Sequence, residues 1–170
     1  MRYLVACFTL LIALPVAGFA QLDQRAFRKE APAFEQAING IADSILPEYG
    51  VREKARGAFV EGCGPIFFVE VALERASNPF FSPGSQIEVK KNMERRLASS
   101  KEKISELLKA KFSDLKAASD AGSLTVVMNV FNSNPTYAPS LPTQVVFIAK
   151  RQLTSVDVAI HEYNLDPISK

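Results

Sequence analysis

The sequence predicts an α+β domain. A mainly antiparallel four-stranded sheet, made of two hairpins, is expected to pack against an N-terminal helix and a long central helix or helix pair. Two observations predict this class. Apolar residues recur at helical spacing in two long segments, and four short runs rich in Val, Ile and Phe occur in pairs, one pair after each segment. Hairpin-paired strands with helices between the pairs are typical of domains whose helices cover one face of the sheet.

The first twenty residues, MRYLVACFTLLIALPVAGFA, have the pattern of an export signal. Arg2 makes the beginning positive, the stretch from Tyr3 to Val16 is uncharged and nearly all apolar, and small residues precede the expected cut after Ala20. We therefore expect a cleaved signal peptide, followed by a single α+β domain over residues 21–170 that is exported to the periplasm or outside the cell.

Two alternatives stay open for this segment. The uncharged run from Tyr3 to Gln21 is just long enough to span a bilayer as an uncleaved N-terminal anchor. The stretch from Leu4 to Cys7 also matches the lipoprotein pattern, in which the Cys is lipidated and becomes the new N-terminus. Lipidation fits less well, because most of the apolar stretch would lie beyond the cut. Cleavage after Ala20 fits best, and cleavage after Ala17 is the second choice.

The composition of the cleaved chain excludes several classes of protein. Removal of the signal would leave 150 residues, enough for one domain with a proper core. Arg2 would be lost, and 19 basic against 18 acidic residues give no general attraction to nucleic acid or to acidic membranes. Cys63 would be the one remaining cysteine, so no intramolecular disulfide can form. The lack of Asn-x-Ser/Thr sites without a middle Pro slightly favours a bacterial origin.

The first element is a helix from Leu22 to Leu46. Pro32 lies inside it and either kinks the helix or marks the start of its better-formed half, while Pro47 and Gly50 end it. Five apolar residues share one face of this helix: Phe27, Phe34, Ile38, Ile41 and Ile45.

A hairpin follows between Val51 and Leu73. Two β-rich runs flank the turn Gly62–Pro65, a spacing that indicates a tight connection. The second run is apolar on nearly both faces, so we expect it in the middle of the sheet or covered on both sides. One face carries Phe67, Val69 and Val71, and the other carries Ile66, Phe68, Glu70 and Ala72.

The longest periodic segment runs from Ser85 to Ala118. As one helix it would span roughly 50 Å, so we expect either one protruding helix or two helices broken near Ser99-Ser100, with Gly122 as the C-terminal cap. Its apolar stripe consists of Met93, Leu97, Ile104, Leu108 and Leu115.

Two further strands are expected at Leu124–Phe131 and Gln144–Ala149, joined by a loop rich in turn residues. The tail beyond them alternates Val156, Val158 and Ile160 with polar or small residues. This alternation suits a short edge strand, and a final helix is the alternative.

Cys63 and His161 are weak candidates for catalysis. Cys63 lies between two glycines at a turn, yet no nearby base would activate its thiol, so a small residue tucked into a turn is favoured over an intermolecular disulfide or a reactive thiol. His161 has Asp157 and Glu162 near it in sequence, but it forms no HExxH or paired-His pattern, and a solvent-facing tail residue is favoured. We expect no metal and no cofactor.

Two features bear on partners. Phe80 and Phe81 are adjacent aromatics in a loop, and one of them could contact a partner, although aromatics that pin the loop to the core are favoured. The Lys and Arg residues between 90 and 116 are interspersed with acidic residues, a mixture typical of a solvated helix face rather than of a nucleic-acid or lipid site.

The segment from Arg56 to Val71, RGAFVEGCGPIFFVEV, resembles a segment of exported bacterial proteins of unknown function, as does the later TVVM strand. This resemblance implies export and an α+β domain, and it transfers no activity.

The sequence favours a non-enzymatic exported domain that binds a protein or cell-envelope partner, since no catalytic constellation is evident. One alternative is a hydrolase or thiol-dependent enzyme that uses Cys63. Another is a self-associating structural protein, a homodimer formed through residues 85–118.

Overall fold

A computed structural model describes residues 15–46, 50–74, 86–131 and 139–164, and it has an α+β fold. The elements, in chain order, are α1 (Pro15–Ile45), β1 (Val51–Val60), β2 (Gly64–Ala72), α2 (Gln86–Lys111), a 3₁₀ turn (Phe112–Asp114), α3 (Lys116–Ala121), β3 (Ser123–Phe131), β4 (Gln144–Arg151) and β5 (Val156–Tyr163). None of the helices within these ranges is both long and apolar enough to cross a membrane.

The sheet has five strands in the order β1-β2-β3-β4-β5 and is mixed. The predicted hairpins β1–β2 and β3–β4 are antiparallel, but β2 and β3 pair in parallel. The expectation of four mainly antiparallel strands is therefore only roughly right. The parallel pair arises because the helical connection α2–α3 carries the chain back to the end of the sheet where β2 begins, as a crossover must. The alternating tail forms the fifth strand, β5, which pairs with β4.

The first helix is one continuous element that passes through Pro32, so the alternative in which Pro32 marks a helix start is wrong. Pro32 is exposed, while Phe27 before it and Phe34 after it both pack on Phe67 of β2, with ring centroids 5.8 and 4.7 Å away. Contacts with the sheet on both sides of the proline hold the helix together despite the missing N–H group.

The central helix α2 also continues through Ser99-Ser100, so of the two open alternatives the helix pair broken at this point is wrong. Ser100 is buried and occupies the inward position where the apolar stripe misses a residue. The interruption lies later, where the 3₁₀ turn is followed by an extended Leu115. Gly122 caps α3 as expected, with a φ of 72° that favours glycine.

The core lies between the helices and one face of the sheet. Alternate residues of β2, β3 and β4 point into it and are buried, as far as Ala149 in β4. Its largest fully buried side chains are Phe67, Phe112, Phe147, Ile38, Leu73, Met93, Leu108 and Leu124.

Candidate functional site

The other face of the sheet is the main candidate for a functional surface. Because side chains alternate along a strand, the residues between the buried ones on β2, β3 and β4 all point away from the core. These side chains are half-buried or exposed rather than buried. We call this surface the open face. Its central part consists of three rows that cross the strands and are fixed by the strand register, and Phe131 and Asp157 lie on the same face beyond these rows.

The first two rows of the open face are largely apolar. Each row is set by the pairing of neighbouring strands. The first row is Ala58, Ile66, Thr125, Ile148 and Ala159, and the second is Arg56, Phe68, Val127, Val146 and His161. The third row is polar, with Glu70, Asn129, Gln144 and Tyr163.

Several large side chains of the open face are accessible to solvent. Phe68 in the central part of the sheet is 45% exposed, Phe131 at the end of β3 is 38% exposed, and Tyr163 on β5 is 45% exposed. An antiparallel sheet with one solvated face normally alternates apolar residues inside with polar residues outside. A contiguous apolar surface on the solvated side is typical of a site that binds another molecule.

Cationic side chains border this surface along β1. The Arg52 Nε atom lies 3.1 Å from Glu70 Oε1, and its guanidinium carbon lies 3.7 Å from the centroid of the Phe131 ring. Arg56 stands beside Phe68 in the second row and is exposed, with no ion pair to any residue in the described ranges. The β1 side of the open face therefore carries positive charge that an acidic group of a ligand could neutralise.

Cys63 lies in the β1–β2 turn and is exposed. Its backbone N–H donates to Val60 O at 3.0 Å, and its carbonyl accepts a hydrogen bond of 2.7 Å from Ser123 Oγ. Gly62 and Gly64 adopt φ angles of 79° and 85°, which this tight connection requires. The turn is thus tied by its backbone to the start of β3, and the thiol faces solvent.

The structure does not bring Cys63 and His161 together. His161 is on β5, three strands away from β2, a separation of about 14 Å at the usual strand spacing. It stacks on Tyr163 with ring centroids 6.5 Å apart. Within the described ranges, no group of three or more His, Cys, Asp or Glu side chains could hold a metal ion.

Arg96 of α2 carries a shifted pKa. Burial lowers the pKa of its guanidinium, and the neighbouring charge of Arg95 lowers it further. The Arg96 Nη1 atom donates a hydrogen bond of 2.7 Å to the carbonyl of Leu73, just beyond β2. This contact joins α2 to the end of a core strand, so Arg96 has a structural role.

The remaining sequence candidates fall into two groups. Phe80 and Phe81 lie outside the described residues. The apolar stripe of α2, which motivated a homodimer through residues 85–118, is buried within the chain, including Met93, Leu97, Ile104 and Leu108. That homodimer stays a prediction, although the surface on which it was based is covered.

Sequence reasoning did not identify the open face as a site. The sequence does contain a pattern that points to this surface, because Ile66, Phe68 and Ala72 form a second apolar face of β2. Such a face predicts either a central strand or cover on both sides. The strand is central, between β1 and β3.

No protein-family model matches the chain, and no significant match exists among the curated proteins or the solved structures. The resemblance to exported bacterial proteins therefore stays a prediction.

Proposed function

We propose that this chain is an exported, non-enzymatic domain that binds a protein partner of the cell envelope through the open face. The single observation that carries the proposal is the exposure of Phe68 within the second of the two largely apolar rows. Export is supported by the signal-like pattern of residues 1–20.

The size of the open face sets how much of a protein partner it can contact. Five strands at the usual spacing and three rows of side chains give a flat surface on the order of 400–500 Å². A stable protein interface buries about 800 Å² on each partner. The three rows together are too small for such an interface, so a protein partner must also contact the borders of the sheet.

The charge along β1 supports a particular kind of protein surface. Arg52 and Arg56 lie beside Phe131 and Phe68, and Arg56 lacks an ion pair within the described ranges. A partner with an apolar patch next to carboxylates would bury the aromatic rings and pair with Arg56 at the same time. Electrostatic complementarity of this kind contributes mainly to specificity and to the rate of association.

A photo-crosslinking experiment tests the proposal in the cells that produce the protein. Phe68 is replaced by benzoylphenylalanine, and the control carries the same group at the exposed Lys109 of α2. We expect a discrete covalent adduct from position 68, absent from position 109 and reduced by Arg56→Glu. With the partner then purified, Phe68→Ala is expected to weaken its Kd about tenfold or more. An identical crosslinking pattern from positions 68 and 109 contradicts the proposal.

A thiol-dependent activity is the second candidate, and it is supported by the exposure of Cys63 in the β1–β2 turn. Alkylation with iodoacetamide near neutral pH tests it directly. A nucleophilic thiol would react faster than free cysteine under the same conditions. A rate no higher than that of free cysteine rejects the thiol enzyme and leaves the binding proposal untouched.

A further inference from the structure

The two edges of the sheet are built differently. At the β1 edge, the Ala55 N–H donates to Asn39 Oδ1 at 2.8 Å, and the Gly57 N–H donates to Glu35 Oε1 at 2.7 Å. Two shifts of register also interrupt β1 between Val51 and Arg56. Side chains of α1 thus occupy backbone donors that another strand would need, and irregular pairing discourages strand addition.

The β5 edge has none of these protections in the described part of the chain. β5 is eight residues long, contains neither Gly nor Pro, and keeps one unbroken register with β4. Regular, unblocked edges of this kind are templates for pairing with another strand.

The hydrogen bond in the turn before β5 shows which backbone groups of β5 point towards β4 and which point outward. The Gln152 N–H donates to Ser155 O at 2.8 Å, in the register that continues into β4–β5. Since hydrogen-bonded pairs alternate along an antiparallel ladder, Asp157, Ala159 and His161 direct their backbone groups to β4. The backbone N–H and C=O groups of the residues between them point outward. These are Val156, Val158, Ile160 and Glu162, and no bond from another described residue reaches their outward groups.

We propose that β5 pairs antiparallel with β5 of a second copy of this chain, about a two-fold axis at Ala159, to give a continuous ten-stranded sheet. Both strands can form hydrogen bonds only through their outward residues, so an outward residue must face an outward residue of the second copy. This holds when the two-fold axis passes through a residue, and it fails when the axis passes between two neighbouring residues. The two registers with the longest overlap, seven residues each, centre on Ala159 and on Ile160.

The side chains that face each other across the new pairing select between these registers. Centring on Ala159 sets Asp157 opposite His161 of the second copy on the open face, and the symmetry produces this pair twice. On the helix side the same register sets Val158 opposite Ile160, an apolar pair. Centring on Ile160 instead sets Asp157 opposite Tyr163 and Ala159 opposite His161 on the open face. On the helix side it gives one apolar pair, Ile160 with itself, and sets Val158 opposite Glu162. Hydrogen-bonded and apolar cross-strand pairs stabilise a sheet. An imidazole N–H can donate to a carboxylate, so the side chains of β5 match each other best about Ala159.

A two-fold axis also explains why the occupant is a second copy. Asp157 and His161 are four residues apart on one face, so an antiparallel copy matches both at once, as an isologous interface requires. Four hydrogen-bonded residue pairs would supply on the order of eight backbone hydrogen bonds. This proposal does not depend on what binds the open face. If β5 does not form this dimer, the proposed binding function is unaffected, because its own crosslinking experiment tests it separately.

Disulfide trapping tests the register. In a Cys63→Ser background, Ala159→Cys places two thiols at a non-hydrogen-bonded pair, where the Cα atoms lie about 4.5 Å apart, within the range that a disulfide bridges. Mild oxidation should convert most of this variant to a covalent dimer. The control, Thr154→Cys in the exposed turn, should stay monomeric. A monomeric Ala159→Cys variant overturns the proposal, and so does preferential trapping of Ile160→Cys.

Proline substitution tests the edge without a cysteine. The N–H of Ile160 points outward, so Ile160→Pro removes a donor needed by the second copy while leaving the bonds to β4 in place. Sedimentation of the unmodified protein should give a dimer, and Ile160→Pro should weaken dimerisation at least tenfold. Ile160→Ala is the matched control, because it keeps the N–H. Far-ultraviolet circular dichroism verifies that both variants fold. Equal masses for the unmodified protein and Ile160→Pro overturn the proposal.

An exchange of the two residues tests the Asp157–His161 pairing. Asp157→Lys should weaken the dimer about fivefold, whereas the double variant Asp157→His, His161→Asp should restore it to near the original affinity. Equal weakening in the single and double variants overturns the register.

Discussion

The ring of Phe27 fills the space next to Gly57: its Cζ atom lies 2.7 Å from the place that a Cβ atom on residue 57 would occupy. The Phe67 ring approaches the same place to 2.7 Å, so core aromatic rings from α1 and β2 both pack directly against the backbone of Gly57. The packing of the first helix on the sheet therefore depends on the lack of a side chain in β1.

Gly57→Ala is expected to lower the free energy of unfolding by about 1–3 kcal/mol, because the added methyl group forces both rings away from their packed positions. Gly40→Ala is the matched control. Nothing lies within 4 Å of a Cβ at Gly40 in α1, and alanine favours the helix by about 0.5–1 kcal/mol. Urea denaturation measures both variants, and destabilisation of equal size in the two contradicts the packing argument.

The bond between Glu35 and the Gly57 N–H should also stabilise the fold. Glu35→Ala leaves that partly buried donor without its acceptor, at a cost of about 1–3 kcal/mol. Glu35→Gln retains an oxygen at the same place and should cost less than half as much. Hydrogen exchange gives a local readout, since the Gly57 amide should exchange faster in Glu35→Ala than in Glu35→Gln. Equal exchange in both variants would show that the side-chain bond does not protect this edge.

The alternation of side chains carried much of the fold prediction. It predicts Phe67, Val69 and Val71 as one face of β2, and this is confirmed. It leaves the strand either in the middle of the sheet or covered on both sides, and the first alternative is confirmed. It could not predict the parallel pairing of β2 with β3. That pairing depends on where the chain returns after α2, which is a property of helix packing and not of either strand.

The same kind of contact decides both alternatives that the sequence leaves open in the helices. Pro32 and Ser100 are unfavourable or ambiguous by local propensity, yet both lie within continuous helices. Contacts with the sheet on either side of Pro32, and the burial of a small residue at position 100, outweigh these local preferences.

The open face and the β5 edge were beyond the reach of sequence patterns for a related reason. Period-two alternation shows that Ile66 and Phe68 share a face, but it does not show whether another layer covers them. In the same way, the protection of β1 depends on Glu35 and Asn39, which are far from it in sequence. Only the three-dimensional arrangement distinguishes a closed edge from an open one.

Arg96 should contribute to stability through its bond to Leu73. Arg96→Met keeps much of the side-chain volume but leaves the Leu73 carbonyl without its donor, and we expect a loss of about 1–2 kcal/mol. Arg95→Met, next to it, should be neutral or slightly stabilising, because it removes the like charge that lowers the pKa of Arg96. Thermal unfolding compares the two variants. A larger loss for Arg95→Met would contradict the assignment of the structural role to Arg96.

The adjacent residues Phe67 and Phe68 should separate stability from binding. Phe67 is fully buried against Phe27 and Phe34, and Phe67→Ala should cost about 3–5 kcal/mol through the cavity that it leaves. Phe68 is 45% exposed on the open face, so Phe68→Ala should cost less than about 1 kcal/mol and act mainly on partner binding. Urea denaturation gives the stability of each variant, and the Kd for the crosslinked partner gives the binding. A destabilisation by Phe68→Ala as large as that by Phe67→Ala would mean that another part of the chain covers the open face, and the binding surface would then have to be sought elsewhere.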